Sequence, residues 1–165
     1  ISRKLMRRSR QEITDRKIIE EILSGSEICR LGFIDGHRAY VLPFNYGYHD
    51  NCIYIHCAND GKKLDLLRKN NEVCFEIEHG VRMVKDSGAC GWETTFRSVV
   101  GYGIVEIITD PGSKRSALDV LMKHNGAGKE TDLDYPPEKV DLVTILKIRI
   151  TEVTGKQSRN WPGGD

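Results

Sequence analysis

The sequence predicts a small, mainly β protein, a six-stranded antiparallel barrel with flanking helices. Several stretches between residues 28 and 150 alternate apolar and polar side chains with a period of two, which is the period of a half-buried strand. The helical stretches come at the start, in the middle and late in the chain. A doubly wound parallel sheet would need helices that alternate regularly with strands, so a meandering antiparallel barrel is favoured.

The composition is that of one globular domain and excludes several classes of function. The chain has 165 residues, 39% of them hydrophobic and 30% charged. Its 25 Lys and Arg against 24 Asp and Glu leave a net charge of +1, without the basic excess that is usual in nucleic-acid binding. No run reaches the roughly 18 apolar residues of a membrane-spanning helix. We therefore expect a cytoplasmic protein that binds neither nucleic acid nor membranes.

The chain divides into a basic arm (residues 1–12), a barrel domain (13–155) and a C-terminal tail (156–165). A solvated arm is the simpler interpretation of the basic segment, and an arm that binds phosphate or a partner is the alternative. The sequence opens on Ile1 rather than methionine, which leaves open whether the native start precedes it. The arm contains five cations: Arg3, Lys4, Arg7, Arg8 and Arg10.

The first half of the domain reads as a helix followed by three strands. Asp15 can cap a helix that runs through Leu23 and that Gly25 ends. A strand over 28–34, a turn at Asp35-Gly36 and a return strand over 38–48 then form a hairpin. A third strand covers 52–57.

The second half contains two helices and three more strands. We predict a short helix over 62–69, a strand over 73–78 and an irregular, glycine-containing segment over 80–92. A long strand over 95–108 leads to a helix that Asp110-Pro111 opens and His124 ends. A loose segment and a last strand over 142–150 complete the barrel.

Two lysines at the start of the short central helix are the most informative feature. Lys62 and Lys63 occupy its first turn, where cations oppose the helix dipole unless an anion joins them. A phosphate at that position would meet free backbone N–H groups and two ammonium groups together. Two solvated lysines on a short helix are the simpler alternative.

Two strand segments offer further contacts for a ligand. Pro43 cannot donate to a sheet ladder, so it indicates an edge strand or a bulge where the backbone could meet a flat heterocycle, with Phe44 or Tyr46 lining the ring. Arg97 and Ser98 interrupt an otherwise apolar strand with a guanidinium and a hydroxyl. The Gly-Tyr-Gly that follows lacks the third glycine and the helix of a dinucleotide fingerprint.

The cysteines and histidines do not indicate a metal site. Five scattered cysteines suit a reduced core better than a disulfide framework. On a strand, Cys52 and His56 face opposite to Cys57, so these three do not converge on one ion. For His37, in a turn, and His124, at a helix end, surface roles suffice.

The order and spacing of these stretches resemble the FMN-binding split-barrel superfamily of pyridoxamine 5′-phosphate oxidase, and most closely its nitroimidazole-resistance branch. The resemblance extends from Ile13 to Trp161. The stretches that carry it are Cys29-Arg30-Leu31-Gly32, Val41-Leu42-Pro43-Phe44-Asn45-Tyr46, Tyr54 to Leu67, Val73-Cys74-Phe75-Glu76, Arg97-Ser98-Val99-Val100-Gly101-Tyr102-Gly103 and Thr154-Gly155-Lys156.

The resemblance implies a homodimer with an FMN in each of two clefts at the interface. It implies that Lys62 and Lys63 hold the FMN phosphate, and that His56 lies beside the flavin and the substrate as proton donor or orienting group. Trp161 either closes over the cleft or lies in a disordered tail. The other cofactor-binding positions that the resemblance implies are Pro43, Phe44, Asn45, Tyr46, Cys57, Ala58, Arg97 and Ser98.

The resemblance also implies an FMN-dependent oxidoreductase that passes electrons from an external donor such as NAD(P)H to a small acceptor. For a nitroaromatic, full two-electron steps toward the amine would avoid release of a radical. The true oxidases end in an Arg-x-His signature, whereas this chain continues from Thr154 as Thr-Gly-Lys-Gln-Ser-Arg-Asn-Trp, which makes pyridoxamine phosphate oxidation doubtful. A flavin-binding module for storage or sensing is the main alternative, and haem binding is a weaker one.

Overall fold

The computed structural model describes residues 9–162, which form one antiparallel sheet with flanking helices. Two short 3₁₀ turns lie at Ser9–Gln11 and Ala89–Gly91. The strands are β1 (Glu12–Ile13), β2 (Ile28–Asp35), β3 (Arg38–Asn45), β4 (Gly47–His49), β5 (Cys52–Ala58), β6 (Glu72–Val84), β7 (Glu93–Ile108) and β8 (Val143–Gln157). The helices are α1 (Arg16–Gly25), α2 (Lys62–Lys69), α3 (Pro111–His124) and α4 (Pro137–Asp141).

The sheet order is β3-β2-β6-β7-β8-β5-β4, with β1 paired to β8. Within the described residues it has eight strands, so the prediction of six is wrong in number, although the antiparallel class is confirmed. The predicted return strand divides at Tyr46, whose buried side chain leaves the ladder and donates a hydrogen bond to the Leu23 carbonyl at 2.7 Å. The pairing of Glu12–Ile13 with β8 adds the other strand.

Two strands, β6 and β8, run several residues further than the sequence pattern indicates. β6 reaches Val84 through a bulge between His79 and Arg82, where Gly80 has a φ of +60°. The bulge interrupts the period of two, which is why the segment over 80–92 reads as irregular. β8 continues to Gln157, so the predicted boundary between the domain and the tail, at residue 155, falls inside a strand.

Residues 1–8 of the basic arm lie outside the described residues.

The core lies between the inner face of the sheet and helices α1 and α2. Leu23 of α1 and Leu64 of α2 pack in it beside Phe75 and Ile77 of β6. A smaller cluster forms where α3 covers the other face of β5 and β8, with Ala117 and Ile145 at its centre. The outer face of β3, β2, β6 and β7 has exposed apolar side chains that no described helix covers.

The predicted helix starts are confirmed at α1 and α3. The Asp15 side chain accepts a hydrogen bond from Lys17 N at 2.8 Å, and the Asp110 side chain accepts one from Ser113 N at 2.8 Å. None of the helices in the described part of the chain is long and apolar enough to span a membrane.

Candidate functional site

The N-terminus of α2 is open and has no side-chain cap. Its N-cap is Gly61, with a φ of +114°, and its side-chain hydrogen cannot accept a bond from the first turn. A Cβ built at Gly61 would meet nothing within 4 Å, so the approach to the helix end is clear. Lys62 and Lys63 follow directly, as predicted. The Leu64 amide donates to the Gly61 carbonyl at 2.9 Å, so the amides left for an anion are those of Lys62 and Lys63 themselves.

Lys62 already contacts the hairpin of β2 and β3. Its Nζ lies 2.6 Å from Asp35 Oδ2 and 4.7 Å from the centre of the Tyr40 ring. The hydrogen bond to Asp35 raises the pKa of Lys62. Because both side chains of the pair are accessible to solvent, water screens their attraction and the ion pair adds little to stability. An anion at the helix end would therefore compete with Asp35 at little cost.

The end of β5 presents its residues on two faces. His56 and Ala58 are exposed on the outer face, and the imidazole of His56 forms no hydrogen bond to the part of the chain that is described. Cys57 points into the core, where burial raises the pKa of its thiol and the charge of Lys63 opposes that rise. Only the backbone of Cys57 is thus open to a ligand.

Strand β3 is an edge strand, as Pro43 indicates. It pairs only with β2 along its length, with Pro43 opposite Arg30. Pro43 and Asn45 face outward, while Phe44 packs against the core. Tyr46 is fully buried, which corrects the expectation that its ring lines a cofactor.

Arg97 and Trp161 form a second group near the N-terminal end of β7. Arg97 Nε donates to Gln157 Oε1 at 3.2 Å, and the guanidinium lies 4.7 Å from the Trp161 ring. The Trp161 ring rests on the backbone of Gly80, where an added Cβ would come within 2.6 Å of it. The tail is therefore packed as far as Trp161. Ser98 lies one residue further along β7, opposite Lys156.

The predicted site residues thus form two groups that one chain does not bring together. His56 lies opposite Ile145 near the start of β8, whereas Arg97 lies opposite Gln157 at its end. At roughly 3.3 Å per residue, the strand between these two positions extends up to about 40 Å. A site that used both groups would need a second copy of the chain.

Some residues around the site were not predicted. Asp35 and Tyr40 contact Lys62, and no sequence pattern indicates either residue apart from the Asp-Gly turn. His79 lies beside Trp161, with ring centres 6.3 Å apart, and is the last β6 residue in register with β7 before the bulge.

Two other features of the surface bear on function. A groove of about 550 Å³ beside the start of α3, lined by Tyr54, Lys147 and Ser113 among others, contains none of the predicted site residues. Among residues 9–162, no three His, Cys, Asp or Glu side chains are placed to hold a metal ion.

Comparisons with solved structures support this fold. A candidate 5-nitroimidazole antibiotic resistance protein from Bacteroides thetaiotaomicron is 32% identical, with a TM-score of 0.76 over 88% of this chain and 86% of that one. Two structures share the fold at 18% identity and TM-scores of 0.78. One is an FAD and heme binding protein from Mycobacterium smegmatis, with 94% of this chain and 77% of that one covered. The other is the flavocytochrome Anf3 from Azotobacter vinelandii, with 98% and 75% covered.

The family comparison covers most of the chain. No curated protein matches it. Residues 15–157 match the model of the family described as pyridoxamine 5′-phosphate oxidase. This span runs from the N-cap of α1 to the last residue of β8, and so contains the whole sheet apart from β1. The chain belongs to the pyridoxamine 5′-phosphate oxidase family.

Proposed function

We propose that this protein is an FMN-dependent oxidoreductase that reduces small acceptors such as nitroaromatics with electrons from an external donor such as NAD(P)H. The observation that carries the proposal is the open start of α2, with its uncapped amides and the two lysines. The 32% identity to a candidate 5-nitroimidazole resistance protein supports the choice of acceptor.

The residues present fit a flavin mononucleotide. The terminal phosphate of FMN carries the negative charge that an uncapped helix start and two ammonium groups favour. The edge strand β3 has unpaired backbone groups next to Pro43, which suit the polar rim of a flat ring. When bound, FMN supplies hydride and electron transfer that side chains cannot perform.

The protein's own groups then bind, orient and supply protons. Lys62 and Lys63 hold the phosphate, and the backbone of β3 orients the ring. His56, whose imidazole is exposed and has no hydrogen-bond partner in the described residues, is the side chain available to orient the acceptor or donate a proton to it.

A homodimer completes the proposed site. Arg97, Ser98 and Trp161 lie too far along the sheet to meet Lys62 in the same chain. The outer face of the sheet carries exposed apolar side chains that a second copy could cover: Ile34, Val41, Val100 and Tyr102. We infer that two copies pack through this face and that each flavin contacts both.

The first test is cofactor binding by Lys62→Ala/Lys63→Ala. We expect the double variant to lose FMN affinity by roughly 10- to 100-fold, the effect of removing charged hydrogen bonds. Its affinity for riboflavin, which lacks the phosphate, should stay unchanged. Quenching of flavin fluorescence measures both constants, and a parallel titration with FAD decides between the two nucleotides.

The matched control is Lys69→Ala, which removes a lysine from the other end of the same helix. It should leave FMN affinity unchanged. Equal losses in both variants would contradict the phosphate site and indicate a general charge effect. Flavin binding without oxidation of NAD(P)H in the presence of a 5-nitroimidazole would favour the storage or sensing alternative, and a Soret band would indicate haem.

A further inference from the structure

We propose that a cavity beside the β6 bulge binds the electron acceptor, as a neutral, single-ring aromatic compound with an exposed oxygen such as a nitro group. The cavity is lined by residues 25–28 and 30, and by residues 78–81 of β6. We call it the bulge cavity. None of the catalytic or cofactor-binding residues predicted from the sequence lines it. The assignment rests on the proposed function, because it names the substrate of that flavin site.

The size and walls of the bulge cavity suit one flat ring. Its volume of about 350 Å³ lies at the small end of the range for ligand pockets, about 300–1,000 Å³. Ile28 and Val81 line it with side chains that are 38% and 50% exposed. Gly25 and Gly80 contribute backbone without side chains, so a ring can lie close to the chain. Covering the two apolar side chains would stabilise such a complex.

His79 is the polar group that can fix the orientation of this ring. Its Nδ1 lies 3.3 Å from Oγ of the buried Ser26, which holds the imidazole in place. Its Nε2 has no hydrogen-bond partner among residues 9–162. With the proton on Nε2 and the Ser26 hydroxyl donating to Nδ1, the ring presents one donor to an oxygen of the ligand.

The charges around the cavity favour a neutral ligand over a phosphorylated one. Arg30 Nη1 is 2.9 Å from Glu76 and 3.1 Å from Glu78, so its charge is already balanced by two carboxylates. Glu27 adds a further negative charge to the lining. A phosphate would meet this surplus of carboxylates, whereas a neutral nitro compound would not.

The bulge cavity borders the strand at which we place the flavin ring. The Glu27 carbonyl, on its wall, accepts a hydrogen bond from Asn45 Nδ2 at 3.4 Å, and Ile28 lies opposite Asn45 in the ladder. Asn45 belongs to the segment of β3 assigned to the flavin edge. A ring in the cavity would therefore lie next to that segment. Because His79 lies opposite Arg97, the cavity belongs to the second group of site residues, and the histidine that meets the acceptor would be His56 of the second copy.

The decisive test compares Val81→Phe with Val84→Phe in the purified protein loaded with FMN. Both valines are exposed on β6, but only Val81 lines the cavity. We expect Val81→Phe to raise the Kd for 2-methyl-5-nitroimidazole at least about tenfold by filling the cavity, with Val84→Phe unchanged. Isothermal titration calorimetry gives the Kd, and flavin absorbance confirms that both variants retain FMN. Equal affinity in the two variants would overturn the assignment.

A second pair of variants keeps the test valid if Val81→Phe does not fold. His79→Ala should raise the same Kd about 2- to 10-fold, the value of one neutral hydrogen bond, while His49→Ala, in the other groove, should not. No change with His79→Ala would also overturn the assignment. Failure to bind FMN would instead contradict the proposed function, and the same titrations on flavin-free protein would still show whether the bulge cavity binds the nitro compound.

Discussion

His124 is a single residue that joins three parts of the fold. Its Nδ1 accepts a hydrogen bond from Tyr48 N at 3.2 Å, and its Nε2 donates to the Ser26 carbonyl at 2.7 Å. These two bonds require the neutral ring with its proton on Nε2. The ring also packs against Tyr46, with centres 4.6 Å apart. The expectation that His124 needs only a surface role is therefore wrong.

His56 differs from His124 in having no partner within the described residues, which is what a proton donor to a ligand requires. We expect His56→Ala to lower the turnover of a 5-nitroimidazole by about 100-fold or more, the range of general acid catalysis, with FMN affinity unchanged. Steady-state kinetics and flavin titration measure the two effects. His37→Ala, an exposed histidine in the β2–β3 turn, is the control. Unchanged turnover in His56→Ala would remove this histidine from the mechanism.

At the same scale, candidate site residues could be singled out from the sequence where the local chemistry is unusual. Lys62 and Lys63 oppose the helix dipole and Pro43 interrupts a ladder, so both could be recognised without knowing the fold. His79 could not be predicted in this way, because its contacts with Ser26 and Trp161 join segments that lie far apart in the sequence. Tyr46 was misjudged because burial of an aromatic ring depends on contacts with α1 and α3.

At the scale of the elements, the packing around β7 accounts for the Gly-Tyr-Gly sequence at residues 101–103. Gly101 lies opposite Phe75 in the sheet, and a Cβ there would overlap the Phe75 ring and the Glu152 carbonyl oxygen. At Gly103 an added Cβ would overlap the Ile148 side chain. Both glycines therefore serve close packing of the sheet.

Gly101→Ala should accordingly destabilise the fold. We expect a loss of about 1–3 kcal/mol in the free energy of unfolding, as for other overpacked cores. Chemical denaturation followed by circular dichroism measures it. Gly128→Ala is the matched control, because a Cβ at that position meets nothing within 4 Å. A stability of Gly101→Ala equal to that of the control would mean that β7 shifts freely to make room.

The helices and strands could be predicted from the sequence wherever their ends have local causes. Asp15 and Asp110 cap α1 and α3 with their own side chains, and the structure confirms both starts. The end of β8 has no such signal. Residues 151–157 stay in the sheet because β7 runs beside them, which is a long-range cause.

On the scale of the whole molecule, the sheet presents one broad face that the described helices leave open. Val41 and Tyr102 lie in one row across β3, β2, β6 and β7, and their side chains are 54% and 56% exposed. Val100 lies in the next row and is 41% exposed. Apolar side chains gathered on one face of a sheet are typical of an interaction surface. The two separated groups of site residues give the same face a functional reason to be covered by a second copy.

We therefore expect the protein to sediment as a dimer and Val100→Glu/Tyr102→Glu to sediment as a monomer, because two buried carboxylates on each copy would oppose association. The monomeric variant should also bind FMN more weakly, since Arg97, Ser98 and Trp161 of the second copy would be lost from each site. Met122→Glu, on α3 and at a residue that is 41% exposed, should change neither property. Lys62→Ala/Lys63→Ala should lose FMN but remain dimeric, which separates the phosphate site from the interface. A wild-type protein that is monomeric at micromolar concentration and still binds FMN would contradict the shared site, because one chain cannot bring the two groups together.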